Sequence, residues 1–281
     1  MREAHTPGRE SAIGVFDSGI GGLTVVDEIR KRLPAESIVY FGDTARVPYG
    51  PKSPETVLHY SREAMAYLLE REVKAIVVAC NTATAHAHEV LRGELGIPVI
   101  GVIEPGARAA AAATRTGRIG VIGTAGTIRS GAYDRAVRRL VGDRARVYAQ
   151  PCPLFVPLVE EGLVEHPAAR LIAAEYLAPL QKMDVDVLVL GCTHYPLLRP
   201  LLAEVMGPDV RLVDSAAETA IEVDRVLSEM DLVRNGGGPP SSEFAVSDMP
   251  LRFREVGRRF VGDLIGSVRH IDIESYGRSD S

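Results

Sequence analysis

The sequence predicts an α/β fold of two similar, doubly wound lobes with mainly parallel sheets and a ligand cleft between them. Three observations predict it. Short apolar runs rich in β-branched residues recur along the chain and end at Gly, Cys or Asp. Such continuous runs suit strands buried on both faces of a parallel sheet. Stretches with helical spacing separate them, and strands alternating with helices indicate βαβ units. Finally, the pattern repeats: IGVFDS (13–18) is echoed by IGVIGT (119–124), and KAIVVACNT (74–82) by DVLVLGCTH (186–194).

The expected strands are 12–17, 37–43, 74–80, 97–103, 118–123, 186–192 and a shorter one at 211–215. A Gly-containing turn and a helix follow the first strand of each half. Further helices are expected over 55–72, 83–95, 104–114, 130–141, 156–182 and 197–206. In 55–72 the residues Val57, Leu58, Met65, Leu68 and Leu69 recur near the helical period. After a helix over 215–232, RNGGGPPSS (234–242) reads as a turn, FAVSDM as a strand and FREVGRRFVGDLI as an amphipathic helix. The C-terminal part is expected to pack back on the first lobe. Residues 12–103 with 215–270 then form the first lobe and 104–214 the second, and the termini 1–11 and 271–281 are flexible.

Composition excludes several classes. Hydrophobic residues make up 46% and charged ones 25%, the balance of an ordinary globular protein rather than a disordered or collagen-like chain. The formal charge of −5 and the absence of Trp argue against general nucleic-acid binding. No apolar run approaches the roughly 20 residues of a membrane span, and no signal-peptide pattern is visible. The three cysteines are widely spaced and odd in number, which points to free thiols in a cytoplasmic protein.

Cys80 and Cys192 sit at corresponding points of the repeat, each at a strand end and each followed by polar residues. A cysteine there is ordinarily a small core residue. Two in register, each before a helix N-terminus that favours a thiolate, read as chemistry instead. Cys152, between two prolines, reads as structural. Cys80, Cys192 and His194 offer three metal-ligand types, but paired C-x-x-C spacing is lacking and no metal is expected. Asp17 opens DSGIGG, whose glycines allow close backbone approach. The loop matches neither nucleotide fingerprint, so a small anion such as a carboxylate fits it better. Asp17 also suits a plain N-cap. GTAGTIRSG offers Thr124 and Thr127 as hydroxyl donors, and the turn at Pro48, Tyr49 and Gly50 offers backbone donors. His194 is positioned in sequence to exchange a proton with Cys192. The other histidines read as structural.

The motifs VFDSGIGGLTV, FGDTARVPYGPKS, VVACNTATA, GVIEPG, IGTAGTI, CPLFVPLVEEG, LGCTHYPLL and VDSA occur in that order. In this the chain resembles the glutamate racemases of the aspartate/glutamate racemase superfamily, over roughly residues 12–265. The resemblance implies a cofactor-independent isomerase that interconverts L- and D-glutamate, supplies D-glutamate for peptidoglycan, and works as a homodimer in a bacterial cytoplasm. By resemblance, Cys80 and Cys192 are the catalytic cysteines, Asp17 assists the first, and His194 and Glu160 assist the second, with Glu161 adjacent as a competing match. Asp17-Ser18, Pro48-Tyr49-Gly50, Asn81-Thr82 and Thr193-His194 match the substrate-binding residues, and Thr124 and Thr127 are added contacts. Some members of the family inhibit DNA gyrase; nothing in this sequence establishes that partner.

The implied chemistry agrees with the residues. One base re-protonates the face it deprotonated; two bases on opposite faces invert the carbon, and two lobes supply one each. An aspartate-specific relative and a non-catalytic dicarboxylate sensor are the alternatives, and the second has no need of paired cysteines.

Overall fold

A computed structural model describes residues 8–236 and 238–277. The outermost parts of the expected flexible termini, 1–7 and 278–281, lie outside the described residues. The chain runs β1 (Ile13–Asp17), α1 (Leu23–Arg32), β2 (Ile38–Gly42), α2 (Pro54–Leu69), β3 (Ala75–Val78), α3 (Asn81–Glu94), β4 (Val99–Gly101) and α4 (Ile103–Ala113). It continues through β5 (Arg118–Gly123), α5 (Ala125–Arg129), α6 (Ala132–Val141), β6 (Arg146–Pro151), α7 (Phe155–Glu160), α8 (Pro167–Lys182), β7 (Val187–Gly191), α9 (Arg199–Met206) and β8 (Arg211–Asp214). The return consists of α10 (Ser215–Glu229), β9 (Ser242–Val246), α11 (Pro250–Val261) and β10 (Val268–His270).

These strands form two sheets, ordered β10-β9-β2-β1-β3-β4 and β6-β5-β7-β8. All the pairings are parallel. The sequence repeat is thus a topological one: β2-β1-β3-β4 and β6-β5-β7-β8 have the same order, with the first strand of each half at the centre. β1, β2, β3 and β7 are buried along their whole length, as their unbroken apolar runs require.

One hydrophobic cluster passes from Val15 and Val77 of the first sheet, through Ala107 of α4 and Ala220 of α10, to Val121 and Val189 of the second. Small residues in those two helices let the sheets share one interior. The outer faces carry separate clusters: Val57 of α2 and Leu91 of α3 share one with Ile76 of β3, and Phe155 of α7 and Leu177 of α8 share another with Leu188 of β7.

Several boundaries differ from the sequence reading. The helix expected over 156–182 is two helices, because Gly162 takes φ +73° and closes α7, with Leu163 N donating to Leu158 O at 2.8 Å. Pro167 then opens α8, with His166 Nδ1 accepting from Ala168 N at 3.1 Å. β6 and β10 were not expected; both are edge strands with largely exposed, polar alternation that gives no buried-strand signal. Residues 271–277 are not loose: Ile273 is buried and Tyr276 meets Tyr67 edge-on at 5.5 Å.

Lys74, just before β3, is fully buried. It pairs with Glu36 at 2.5 Å and donates to Arg9 O and Leu232 O, while Glu36 accepts from Arg234 N. This ion pair ties the N-terminal segment and the return after α10 to the edge of the first sheet. Removing one partner strands the other charge in the interior, so Lys74→Ala is expected to lower unfolding free energy by about 3–5 kcal/mol, read from urea denaturation.

Candidate active site

The C-terminal edges of both sheets face one cleft, the edge where open parallel sheets bind ligands. Register sets what arrives there. Asp17 lies opposite Gly42 in the first sheet, and Gly123 opposite Gly191 in the second. The residues that follow these strands therefore emerge side by side. A cavity of about 510 Å³ opens between them, with Ser18, Cys80 and Asn81 on one wall and Thr124, Cys192 and His194 on the other. Pro48, Tyr49 and Gly50 come in on the loop after β2, and Thr82, Thr193 and Glu160 complete the match to the sequence-derived residues. Two of those residues stand behind the wall. Asp17 is buried beneath Ser18, and Thr127 bonds the hydroxyls of Thr82 and Thr124 at 3.3 and 3.0 Å.

Cys80 caps α3: Ala83 N donates to Sγ at 3.4 Å, and the thiol donates to Ser18 Oγ at 3.3 Å. Burial, then the nearby Asp17 carboxylate, push the Cys80 thiol up to about 12. Asp17 itself is raised by burial, against the opposing pull of His194 and backbone N–H groups. Its Oδ1 accepts from Gly19 N at 2.9 Å, while Oδ2 is buried without a partner.

Cys192 stands in a different environment. Its Sγ lies 3.9 Å from His194 Nδ1, and His194 Nε2 lies 2.9 Å from Glu160 Oε1. Burial opposes charge on the imidazole, but the bonds to Cys192 and Glu160 outweigh it and raise His194 to about 10. Glu161 turns away and pairs with Arg252 at 3.3 Å, as neighbouring helix positions point about 100° apart. Of the two, Glu160 is thus the one that lines the cavity and meets His194. The two halves share a fold but not a proton chemistry.

The lobes meet closely because the contacting backbone carries no side chain. A Cβ on Gly21 would sit 2.5 Å from His194 Nδ1 and closer still to Thr193 Oγ1; one on Gly126 would sit 2.6 Å from Gly50 O. Thr24 Oγ1 reaches across to Thr193 O at 3.0 Å. Tyr49 offers the cavity its ring and backbone only, since its hydroxyl donates to Asp43 Oδ2 at 2.6 Å.

The family described as Asp/Glu/Hydantoin racemase matches residues 13–223. The chain belongs to that family. A glutamate racemase of Geobacter metallireducens is 54% identical over 264 residues, 94% of this chain and 97% of the relative. Among solved structures, a glutamate racemase isoform of Bacillus anthracis superposes with TM-score 0.90 at 43% identity, covering 94% of this chain and 98% of that one. The Francisella tularensis glutamate racemase, solved in complex with D-glutamate, superposes with TM-score 0.89 at 38% identity, covering 95% and 100%.

Sequence reasoning missed the residues that hold this racemase site from outside it. Arg259 of α11 donates to Glu160 O, and Phe260 meets the His194 ring edge-on at 5.5 Å. Tyr133 of α6 donates to Asn81 Oδ1 at 2.8 Å. All three lie on amphipathic helices, where they look like ordinary face residues.

Glu160 favours the imidazolium, so its loss lets His194 give up its proton at lower pH. Glu160→Gln is expected to move the alkaline limb of the rate profile down by about one pH unit, with Glu161→Gln unchanged. Gly21→Ala is expected to force Thr193 and His194 aside and lower kcat/KM by about 100-fold, with the melting temperature of the purified variant as the control for folding.

Proposed function

We propose that the chain interconverts L- and D-glutamate by moving the Cα proton between two thiols on opposite faces of the substrate. The observation that carries this reading is the pair Cys80 and Cys192, which come from matching strand ends, line one cavity and have different proton partners. In one direction the Cys80 thiolate takes the Cα proton while the Cys192 thiol gives one to the other face. The roles reverse for the other enantiomer. Asp17 serves Cys80, and His194 with Glu160 serves Cys192. The reading calls for no cofactor.

The carbanion formed at Cα is the costly species, and fixed donors lower its energy. Asn81 Nδ2, buried without a partner, is the donor best suited to that task. The hydroxyls of Ser18, Thr82, Thr124 and Thr193, with the backbone at Pro48, Tyr49 and Gly50, hold the carboxylates and the ammonium group. Thr127 orients Thr82 and Thr124. Residues 12–103 with 215–270 are taken as the first lobe and 104–214 as the second. The enzyme is placed in a bacterial cytoplasm as a homodimer that supplies D-glutamate for peptidoglycan; the bacterial relatives that carry the same activity in their names support this.

The test uses purified, reduced protein with L-glutamate in deuterated water and no added cofactor. Loss of optical rotation with deuterium at Cα is expected; folded protein that does neither sinks the reading. Cys80→Ala and Cys192→Ala should each slow racemisation by about 10³-fold or more with melting temperatures near the parent's. Size-exclusion chromatography checks the dimer.

A further inference from the structure

We propose that Tyr133 is a positioning residue that fixes the two thiol-bearing turns relative to each other and aims the Asn81 amide into the cavity; this rests on the two-thiol reading above. Tyr133 belongs to α6 and is 3% exposed, so it lines no surface. Its hydroxyl donates to Asn81 Oδ1 at 2.8 Å, and Asn81 directly follows Cys80. Its ring lies against Gly191, which directly precedes Cys192: a Cβ there would come within 3.1 Å of the ring edge. The hydroxyl also lies beside Ser215 at the start of α10, both facing Gly106, and Ser215 Oγ donates to Leu190 O at 3.1 Å. One phenol thus touches the residue after one thiol, the residue before the other, and the helix that links the lobes.

The geometry has a chemical consequence. An amide is planar, so a bond that pins Oδ1 also fixes the direction of both Nδ2 hydrogens. Nδ2 is buried and unpartnered, and Asn81 lines the cavity. Freed from the phenol, the amide can turn, and the Cys80 turn can shift relative to the Cys192 turn.

A shift of that kind changes how the carbanion is quenched. With both thiols in place, one thiolate takes the Cα proton, becoming a thiol, and the opposite thiol protonates the other face, becoming a thiolate. With the opposite thiol displaced, the first thiol exchanges its proton with solvent and returns a deuteron to the face it came from. The product is then deuterated substrate of unchanged configuration. Simple loss of folded enzyme lowers both outcomes together and leaves their ratio alone.

The experiment incubates L-glutamate with enzyme in deuterated water and stops at low conversion. Deuterium is measured in the recovered L-glutamate and in the D-glutamate formed, and the ratio is compared between parent and Tyr133→Phe. The variant is expected to raise that ratio by about threefold or more while kcat/KM falls about tenfold. Ser215→Ala, which removes the hydroxyl beside the phenol together with its bond to Leu190 O and keeps Tyr133, is expected to move the ratio the same way by less; it carries the test should Tyr133→Phe fail to fold. An unchanged ratio in folded variants overturns the proposal, whether kcat/KM stays or falls, since a fall without a change of ratio marks a merely structural residue. A parent enzyme that does not racemise at all overturns the two-thiol reading first, and this inference with it.

Discussion

Two turns, one from each sheet, must approach until the backbone of one meets the side chains of the other. Everything else in the molecule serves that approach. Gly21 gives way to Thr193 and His194, and Gly126 gives way to the carbonyl of Gly50. No residue with a Cβ fits at either point without moving its neighbour. The alanines of α4 and α10 do the same at larger scale: they let two sheets share one continuous interior, so the lobes are joined by core rather than by a surface contact. Interiors of this density resist deformation, which suits a reaction in which two proton donors must keep a fixed separation.

Matched topology does not produce matched chemistry. β1 and β5 are equivalent strands, as are β3 and β7, and each pair ends at the cleft. Yet Cys80 has a carboxylate behind it and is held as a thiol by burial, whereas Cys192 has an imidazole beside it whose proton is held by Glu160. The two sulfurs thus have different proton partners, which suits the proposed inversion, in which one side acts as base while the other acts as acid.

The parts of this design that were legible in the sequence are those fixed locally. Apolar runs marked the buried strands, and residues at strand ends marked the cleft. Edge strands β6 and β10 were invisible because exposure removes the apolar signal. The split between α7 and α8 turned on Gly162 adopting a positive φ, which a helical spacing of apolar residues does not reveal. Glu160 and Glu161 are equivalent on paper; helix geometry separates them, sending one to His194 and the other to Arg252. Asp17 and Thr127 were grouped with the substrate contacts, but burial sets both behind the wall. Tyr133 was missed for a different reason. Its partners are 52 residues away at Asn81 and on the second sheet at Gly191, and only the folded chain brings them together.

The cross-lobe bonds run both ways. Thr24 of α1 holds the carbonyl of Thr193, next to Cys192. Arg259 of α11, on the returning chain, holds the carbonyl of Glu160, and Phe260 packs on His194. Tyr133, from the other half, holds Asn81 next to Cys80. Each thiol is therefore set by contacts from the opposite half as well as by its own sheet. Had each half positioned its own cysteine alone, any relative motion of the lobes would change the gap between the thiols. Reciprocal holding ties the gap to both sheets at once, so the return of the chain through α10 and α11 helps set the geometry of the cleft rather than being an appendage to it.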